Sequence, residues 1–429
     1  MQLTIEEQFL WACARNWRAP HLLDFPQNLD WSRLVQMVVA NRMETLLNKV
    51  LTATGMLDRL PPDAHAELQK WVDIRAGKAN DYIRILGQYM PLAVAHNLET
   101  IPMKGLWVSE KIYGDPAMRP GHDMDILIRK ERLHDCIAIL EQIGFGRYWP
   151  QQLDDAFYFR HHLHLELSLS DCWTWVEIHW AYDHPRTRLT IDYEAVVDRA
   201  TPSKLLGAPA WDPALPDLLI YLSVHLVKHM VHLPHIANRP DLERLILAEG
   251  RLMYFLDIAE AVKLFHDQIE WALLIDLARQ YGVTAILGST LQVCCDYLGA
   301  PVPAEVLQAL PLPETGVFKS WLSNKMASYH LDKHLRGSDN PFWRFLLTEN
   351  TTFILRPIRL LDFLSYAWPG SDYLRRRYGR AAPAAAPSHL LAAAAEYVRL
   401  AFDAPYYSFK RRLKPPPLFV TRQHETSAP

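Results

Sequence analysis

The sequence predicts an α+β fold, a mixed-sheet core between a helical N-terminal segment and a helical C-terminal half. Apolar residues recur at helical spacing as far as about Asn97 and again beyond about Pro202. The stretch between them carries short runs of alternating polar and apolar residues, broken at Gly105, Gly114 and Gly144. Half of the 429 residues are hydrophobic, so the chain can bury a sizeable core over two or three packed units.

Thr4 followed by Glu7 is a capping-box pattern ahead of Phe9, Leu10 and Trp11, and starts the first helical region. A strand-like run, Thr100 to Met103, ends at Lys104-Gly105, and a helix-like stretch follows from Leu106 to Tyr113. Asp123 to Ile128 predicts a strand, and Arg132 to Ile143 a helix capped by Gly144. Ala156 to Leu169 and Trp173 to Trp180 are β-like runs that suit a hairpin. Beyond Pro202 strand signals fade, and helices are expected over Asp217 to Val231, Arg251 to Phe265 and Trp271 to Leu298. An alanine-proline linker, Ala381 to Pro387, precedes a last helix capped by Ser388 and a proline-rich tail. The expected division is a helical segment over 1–85, the α/β core over 86–200, a helical domain over 201–380, and linker, terminal helix and tail over 381–429.

A formal net charge of −3 gives no chain-wide field for nucleic acid or anionic lipid, so an acidic ligand must be held locally. The N-terminus carries acids where a signal peptide needs a basic start, and no apolar run approaches the roughly 18 residues of a membrane span. A soluble, cytoplasmic protein with no membrane partner is expected, with nucleic acid disfavoured. The five cysteines form no CxxC pair and read as buried thiols.

The chemistry concentrates in Arg119-Pro-Gly-His-Asp123-Met-Asp125-Ile-Leu-Ile128. Two aspartates two residues apart on a strand leave the sheet on the same side. Such a pair repels unless a cation lies between the carboxylates, and hard oxygen ligands suit magnesium or manganese, which keep sites for phosphate oxygens. An exposed strand edge is the ordinary alternative for Asp-x-Asp. Its context raises it: Lys104-Gly105 lies at an upstream strand-to-helix turn, and Arg119 is a further candidate for phosphate. Glu177 and His179 share one face of a later strand, so a third acid converges if that strand lies beside Asp123 to Ile128. Glu177 would then ligate metal or take a proton from an acceptor hydroxyl.

This pattern, Lys104-Gly105, Tyr113, Arg119, Asp123-x-Asp125-Ile-Leu, Gly144-Phe145 and Glu177-x-His179-Trp180, resembles the uncharacterised nucleotidyltransferase family of the polymerase-β-type superfamily. His225, His229, Arg251 and Asp257, then Trp271 and Pro301-Val-Pro303, fall in the order that family shows, and Tyr373-Leu-Arg-Arg-Arg-Tyr378-Gly379 is similar to its C-terminal motif. The resemblance implies a nucleotidyltransferase-type sheet, with Asp123, Asp125 and Glu177 as catalytic metal ligands. Lys104, Gly105, Arg119, His179, His225 and Arg251 are then expected at the nucleotide. Lys104-Gly105 departs from the Gly-Ser that most nucleotidyltransferases carry at the phosphate turn, and Lys104 would supply charge there instead. A nucleoside triphosphate and an acceptor, whether small molecule, peptide or protein, are the implied partners, with a two-metal mechanism. A silent nucleotide- or partner-binding regulator and an antitoxin-like protein-modifying enzyme are the competing readings.

His225, His229 and His232 share one helix face, but the Glu of a His-Glu-x-x-His zinc motif is missing, so lining the active site or packing internally is the expectation. His161, His162 and His164 read as surface or hairpin residues, and Arg375 to Arg377 and Lys410 to Lys414 as solvated faces. Arg251 either reaches the site to hold phosphate or makes an ordinary interhelix contact.

Overall fold

The computed structural model describes residues 3–119, 121, 123–147, 159, 163–169, 174–183, 189–230, 233–310 and 312. The chain divides into two units, Met1–Leu335 and Arg336–Pro429, and every described residue lies in the first. The C-terminal motif, the linker, the last helix, the basic runs after 374, Cys172, His161, His162 and His232 lie outside the described residues.

The N-terminal segment is helical as expected: α1 Ile5–Asn16, α2 Trp31–Ala40, α3 Glu44–Ala53 and α4 Pro62–Ala95. The capping box forms, with Thr4 N donating to Glu7 Oε2 at 2.7 Å and Glu7 N donating to Thr4 Oγ1 at 3.3 Å. The central region holds β1 Ile101–Pro102, α5 Leu106–Lys111, β2 Asp123–Leu127, α6 Leu133–Gln142, β3 Gly146–Arg147, β4 His164–Ser168 and β5 Trp175–His179. These strands form one mixed sheet in the order β1-β2-β5-β4-β3. β2 and β5 run parallel and the other neighbours antiparallel, and β4 and β5 pair as the two β-like runs suggested.

Next come α7 Tyr193–Arg199, β6 Thr201–Leu205 and β7 Ala208–Asp212, then α8 Leu215–His229, α9 Leu233–Ile236, α10 Leu242–Ala248, α11 Leu252–Phe265, α12 Trp271–Gln280, α13 Thr284–Leu298 and α14 Ala304–Ala309. The β6-β7 hairpin corrects the expectation that strands end by Pro202. Each strand contains a proline, which masks the β pattern, and they are joined by Leu206 and Gly207, both at positive φ. Tertiary contacts with α5 hold the hairpin: Trp107 Nε1 donates to Asp212 Oδ1 at 2.7 Å, Lys111 Nζ to Asp212 Oδ2 at 3.2 Å, and Leu206 N to Glu110 Oε2 at 2.6 Å. The stretch Trp271 to Leu298 is also two helices rather than one, divided at Gly282 with φ 71°.

Buried apolar residues from Phe9 to Leu310 form one core in which helices from both ends of this unit pack with the sheet. Cys13, Cys136 and Cys294 are buried in it as free thiols. Among the described residues no helix is long and apolar enough to cross a membrane.

Candidate active site

Strand alternation builds the acidic part of the site. On β2, Met124 and Ile126 turn into the core while Asp123 and Asp125 leave by the other face; on β5, Val176 and Ile178 are buried opposite Glu177 and His179. The parallel register sets Asp125 directly against Glu177 and Asp123 against Trp175. One oxygen from each of Asp123, Asp125 and Glu177 lies within 4.8 Å of the other two. The structure thus brings the three sequence-predicted acids together.

Two cations offset their repulsion. Lys104 Nζ lies 3.0 Å from Asp125 Oδ1 and 3.6 Å from Asp123 Oδ1. Burial works against its charge, but Asp125, Asp123 and Glu177 raise its pKa above the ordinary lysine value. His179 lies beneath the acids at 3% exposure, with Nε2 3.0 Å from both Asp125 Oδ1 and Glu177 Oε2, and Nδ1 3.2 Å from the Ala181 carbonyl. Both ring nitrogens therefore face acceptors, the arrangement of an imidazolium. Burial again opposes the charge and the two carboxylates outweigh it, so the His179 pKa rises. Glu177 moves the other way: burial pushes it up, but the His179 hydrogen bond leads the influences that bring it below its ordinary value. His179, expected at the nucleotide, is spent on bracing the acids.

The donor set fits a hard divalent cation. All three acids offer carboxylate oxygens, and Asp125 Oδ2 is buried with no hydrogen-bond partner among the described residues, a costly state that a cation would relieve. A second trio, His164, Glu177 and His179, has the required proximity. It fits less well, because hydrogen bonding to Asp125, Glu177 and Ala181 leaves His179 no free lone pair.

Gly105 starts α5 at φ 59° and ψ −114°, a conformation that only glycine adopts without strain, and so turns the chain directly after Lys104. Arg119 departs from its expected place. It is 5% exposed, and its Nε donates to Asp257 Oδ2 at 2.8 Å while the Tyr113 hydroxyl donates to Asp257 Oδ1 at 2.9 Å. A buried ion pair explains it better than a waiting phosphate ligand does. His225 Nε2 lies 3.2 Å from Lys104 Nζ, an arrangement that requires a neutral imidazole accepting a hydrogen bond from the ammonium. Burial and the Lys104 charge hold the His225 pKa well below the ordinary histidine range.

His225 stacks on Tyr254 with ring centroids 5.5 Å apart, and His229 lies 4.8 Å from His225 and 5.6 Å from Tyr254. The Arg251 guanidinium carbon lies 5.6 Å from the Tyr254 centroid. His225, His229 and Arg251 therefore gather beside Lys104, one step removed from the acids. Sequence reasoning missed Arg42, Tyr221 and Tyr254. Tyr221 leads His225 by four residues on α8, so helical spacing was its available signal; its buried hydroxyl has no partner among the described residues. Burial first, then the charges of Asp125, Glu177 and Asp123, raise the Tyr221 pKa, which places that phenol near the acids.

A family model described as an uncharacterised nucleotidyltransferase matches residues 27–299. That span includes the whole five-stranded sheet and every site residue named above. No curated protein and no solved structure matches the chain.

Proposed function

The chain belongs to the uncharacterised nucleotidyltransferase family, and from that premise we propose that it transfers a nucleoside monophosphate from a nucleoside triphosphate to an acceptor hydroxyl, using magnesium or manganese held by Asp123, Asp125 and Glu177. The observation that carries this reading is the convergence of three carboxylates on paired strands, with the Asp125 Oδ2 atom left unsatisfied. A bound divalent cation would supply neutralisation of phosphate charge and polarisation of the reacting oxygens.

In this reading the acceptor oxygen bonds to the α-phosphorus, the bond from that phosphorus to the α,β-bridging oxygen breaks, and pyrophosphate leaves. His179 and the β2-β5 register hold the carboxylates in place, and Glu177, the partly exposed acid opposite Asp125, is the candidate to accept the hydroxyl proton. Lys104 would follow negative charge: it sits on the acids here and would turn to phosphate oxygens when a metal-bound triphosphate enters. Gly105 would let the backbone approach that phosphate. Cytoplasmic residence belongs to the same proposal.

The Lys104 contact also favours a second reading. An ammonium already bridging Asp123 and Asp125 is what a silent nucleotide- or partner-binding regulator would keep in place of a metal. Mass spectrometry after incubating the full chain with each triphosphate, magnesium and a cell lysate separates the two. The transferase reading expects an acceptor heavier by one nucleoside monophosphate, and none with the D123N/D125N variant. Absence of any such product, together with magnesium-independent triphosphate binding, would favour the regulator.

A further inference from the structure

Two backbone segments far apart in sequence are clamped together beside Tyr254. Asn41, fully buried at the end of α2, donates from Nδ2 to the Leu247 carbonyl at 3.1 Å and to the Met37 carbonyl at 3.0 Å. Its Oδ1 accepts from Leu252 N at 3.1 Å, so a side chain from the N-terminal segment caps α11, whose own N-cap Arg251 makes no capping bond. Gly250 completes the clamp: at φ 67° a Cβ there would lie 2.4 Å from the Ala40 carbonyl oxygen, so only glycine permits this approach.

The clamp sets the residue after Asn41 and the residue after Gly250 around one aromatic ring. The guanidinium carbons of Arg42 and Arg251 each lie 5.6 Å from the Tyr254 centroid, and that of the paired Arg119 lies 5.2 Å from it. Cation–π attraction offsets part of their mutual repulsion. Among the described residues neither Arg42 nor Arg251 pairs with a carboxylate, and Arg251 Nε is buried without a partner. Arg42 also holds φ 61°, a left-handed conformation that costs energy for a non-glycine residue. Exposed His229 lies beside them; desolvation among its neighbours, then Arg251, Lys104, Lys228 and Arg42, lower its pKa, although water at its open edge screens part of that push. Strain, an orphaned donor and unpaired charge thus coincide at one place, which joins the acids through Tyr254, His225 and Lys104.

We propose that Arg42 and Arg251, held around Tyr254 by the Asn41–Gly250 clamp, form a phosphoryl-binding site that works without a metal. It deepens the nucleotidyl-transfer reading and rests on that reading only for which molecule carries the phosphoryl group: the triphosphate tail of the donor or a phosphate on the acceptor. Guanidinium groups match phosphate oxygens in charge and fork geometry.

The test is calorimetric titration of inorganic tripolyphosphate into the full chain in metal-free buffer. The wild type should bind, and Arg42→Gly and Arg251→Gln should each weaken binding by about tenfold. Arg42→Gly should melt no lower than the wild type, because glycine accepts the left-handed turn; Arg251→Lys, which keeps the charge but not the fork, should fall between wild type and Arg251→Gln. Absence of binding to the wild type, or equal affinity in the folded variants, would overturn the proposal. Repeating the series with magnesium and a non-hydrolysable triphosphate analogue identifies the source. A parallel loss assigns the donor's tail; unchanged analogue affinity, with tripolyphosphate still binding the analogue-saturated wild type, assigns the acceptor's phosphate. D123N/D125N should keep metal-free tripolyphosphate binding. If that variant also keeps magnesium-linked analogue binding, the metal reading fails while the arginine result stands.

Discussion

The acidic and basic parts of the site are built by different means. Asp123, Asp125 and Glu177 stand on two adjacent strands, where the pleat and one register fix all three carboxylates at once. Arg42, Arg251, His225 and Tyr254 come from a turn after α2, the start of α11 and the face of α8, and meet through tertiary contacts such as the Asn41 clamp. Lys104 and His179 offset part of the acids' charge and leave Asp125 Oδ2 without a partner among the described residues, whereas Arg42 and Arg251, which pair with no carboxylate among those residues, are held together by packing. Charge paired within the fold, as in Arg119–Asp257, is costly to strip of its partner; charge held without one is available to a ligand.

The largest effect that distinguishes the two kinds of charge is expected at Arg119. Arg119→Met leaves Asp257 buried beside Tyr113 without its cation, and should cost about 3–5 kcal/mol in urea unfolding. Arg251→Gln removes an unpaired charge and should change stability by about 1 kcal/mol or less. Similar losses in both variants would erase the distinction between structural and available arginines.

A smaller effect concerns pH. His225 is neutral in the fold, with a pKa held below its unfolded value of about 6.5. Its contribution to stability is therefore fully present above about pH 6.5 and declines as pH falls below it, by up to about 1.4 kcal/mol per pH unit. Protonation would set two cations 3.2 Å apart, Lys104 and the imidazolium. His225→Gln should flatten the acid side of the stability profile by close to one proton, measured as urea midpoints at several pH values. An unchanged slope would mean that His225 is not the neutral acceptor of the Lys104 hydrogen bond.

The same contrast explains what could be read from the sequence. Asp-x-Asp, Glu-x-His and the Thr4–Glu7 capping box are local patterns, and local geometry fixes their outcome. Arg119 and Asp257 are each visible in the sequence, but their pairing across 138 positions is not. Arg42 carries no local signal, since its place depends on Asn41 reaching Leu247 and Leu252. Tyr254 follows Arg251 by three residues at the start of a helix, a spacing that hinted at a shared face. The β6-β7 hairpin escaped because Pro202 and Pro209 obscure two strands whose tertiary hydrogen bonds run to the distant α5.

The central claim is that the acids on β2 and β5 hold a divalent cation together with a triphosphate. Its most direct test is calorimetry of magnesium and a non-hydrolysable triphosphate analogue, each titrated with and without the other, on the wild type and on D123N/D125N. The account predicts that each ligand raises the other's affinity by the same factor in the wild type, and that this coupling disappears in the variant, whose volume is nearly unchanged. Undiminished magnesium-linked analogue binding in D123N/D125N would contradict it.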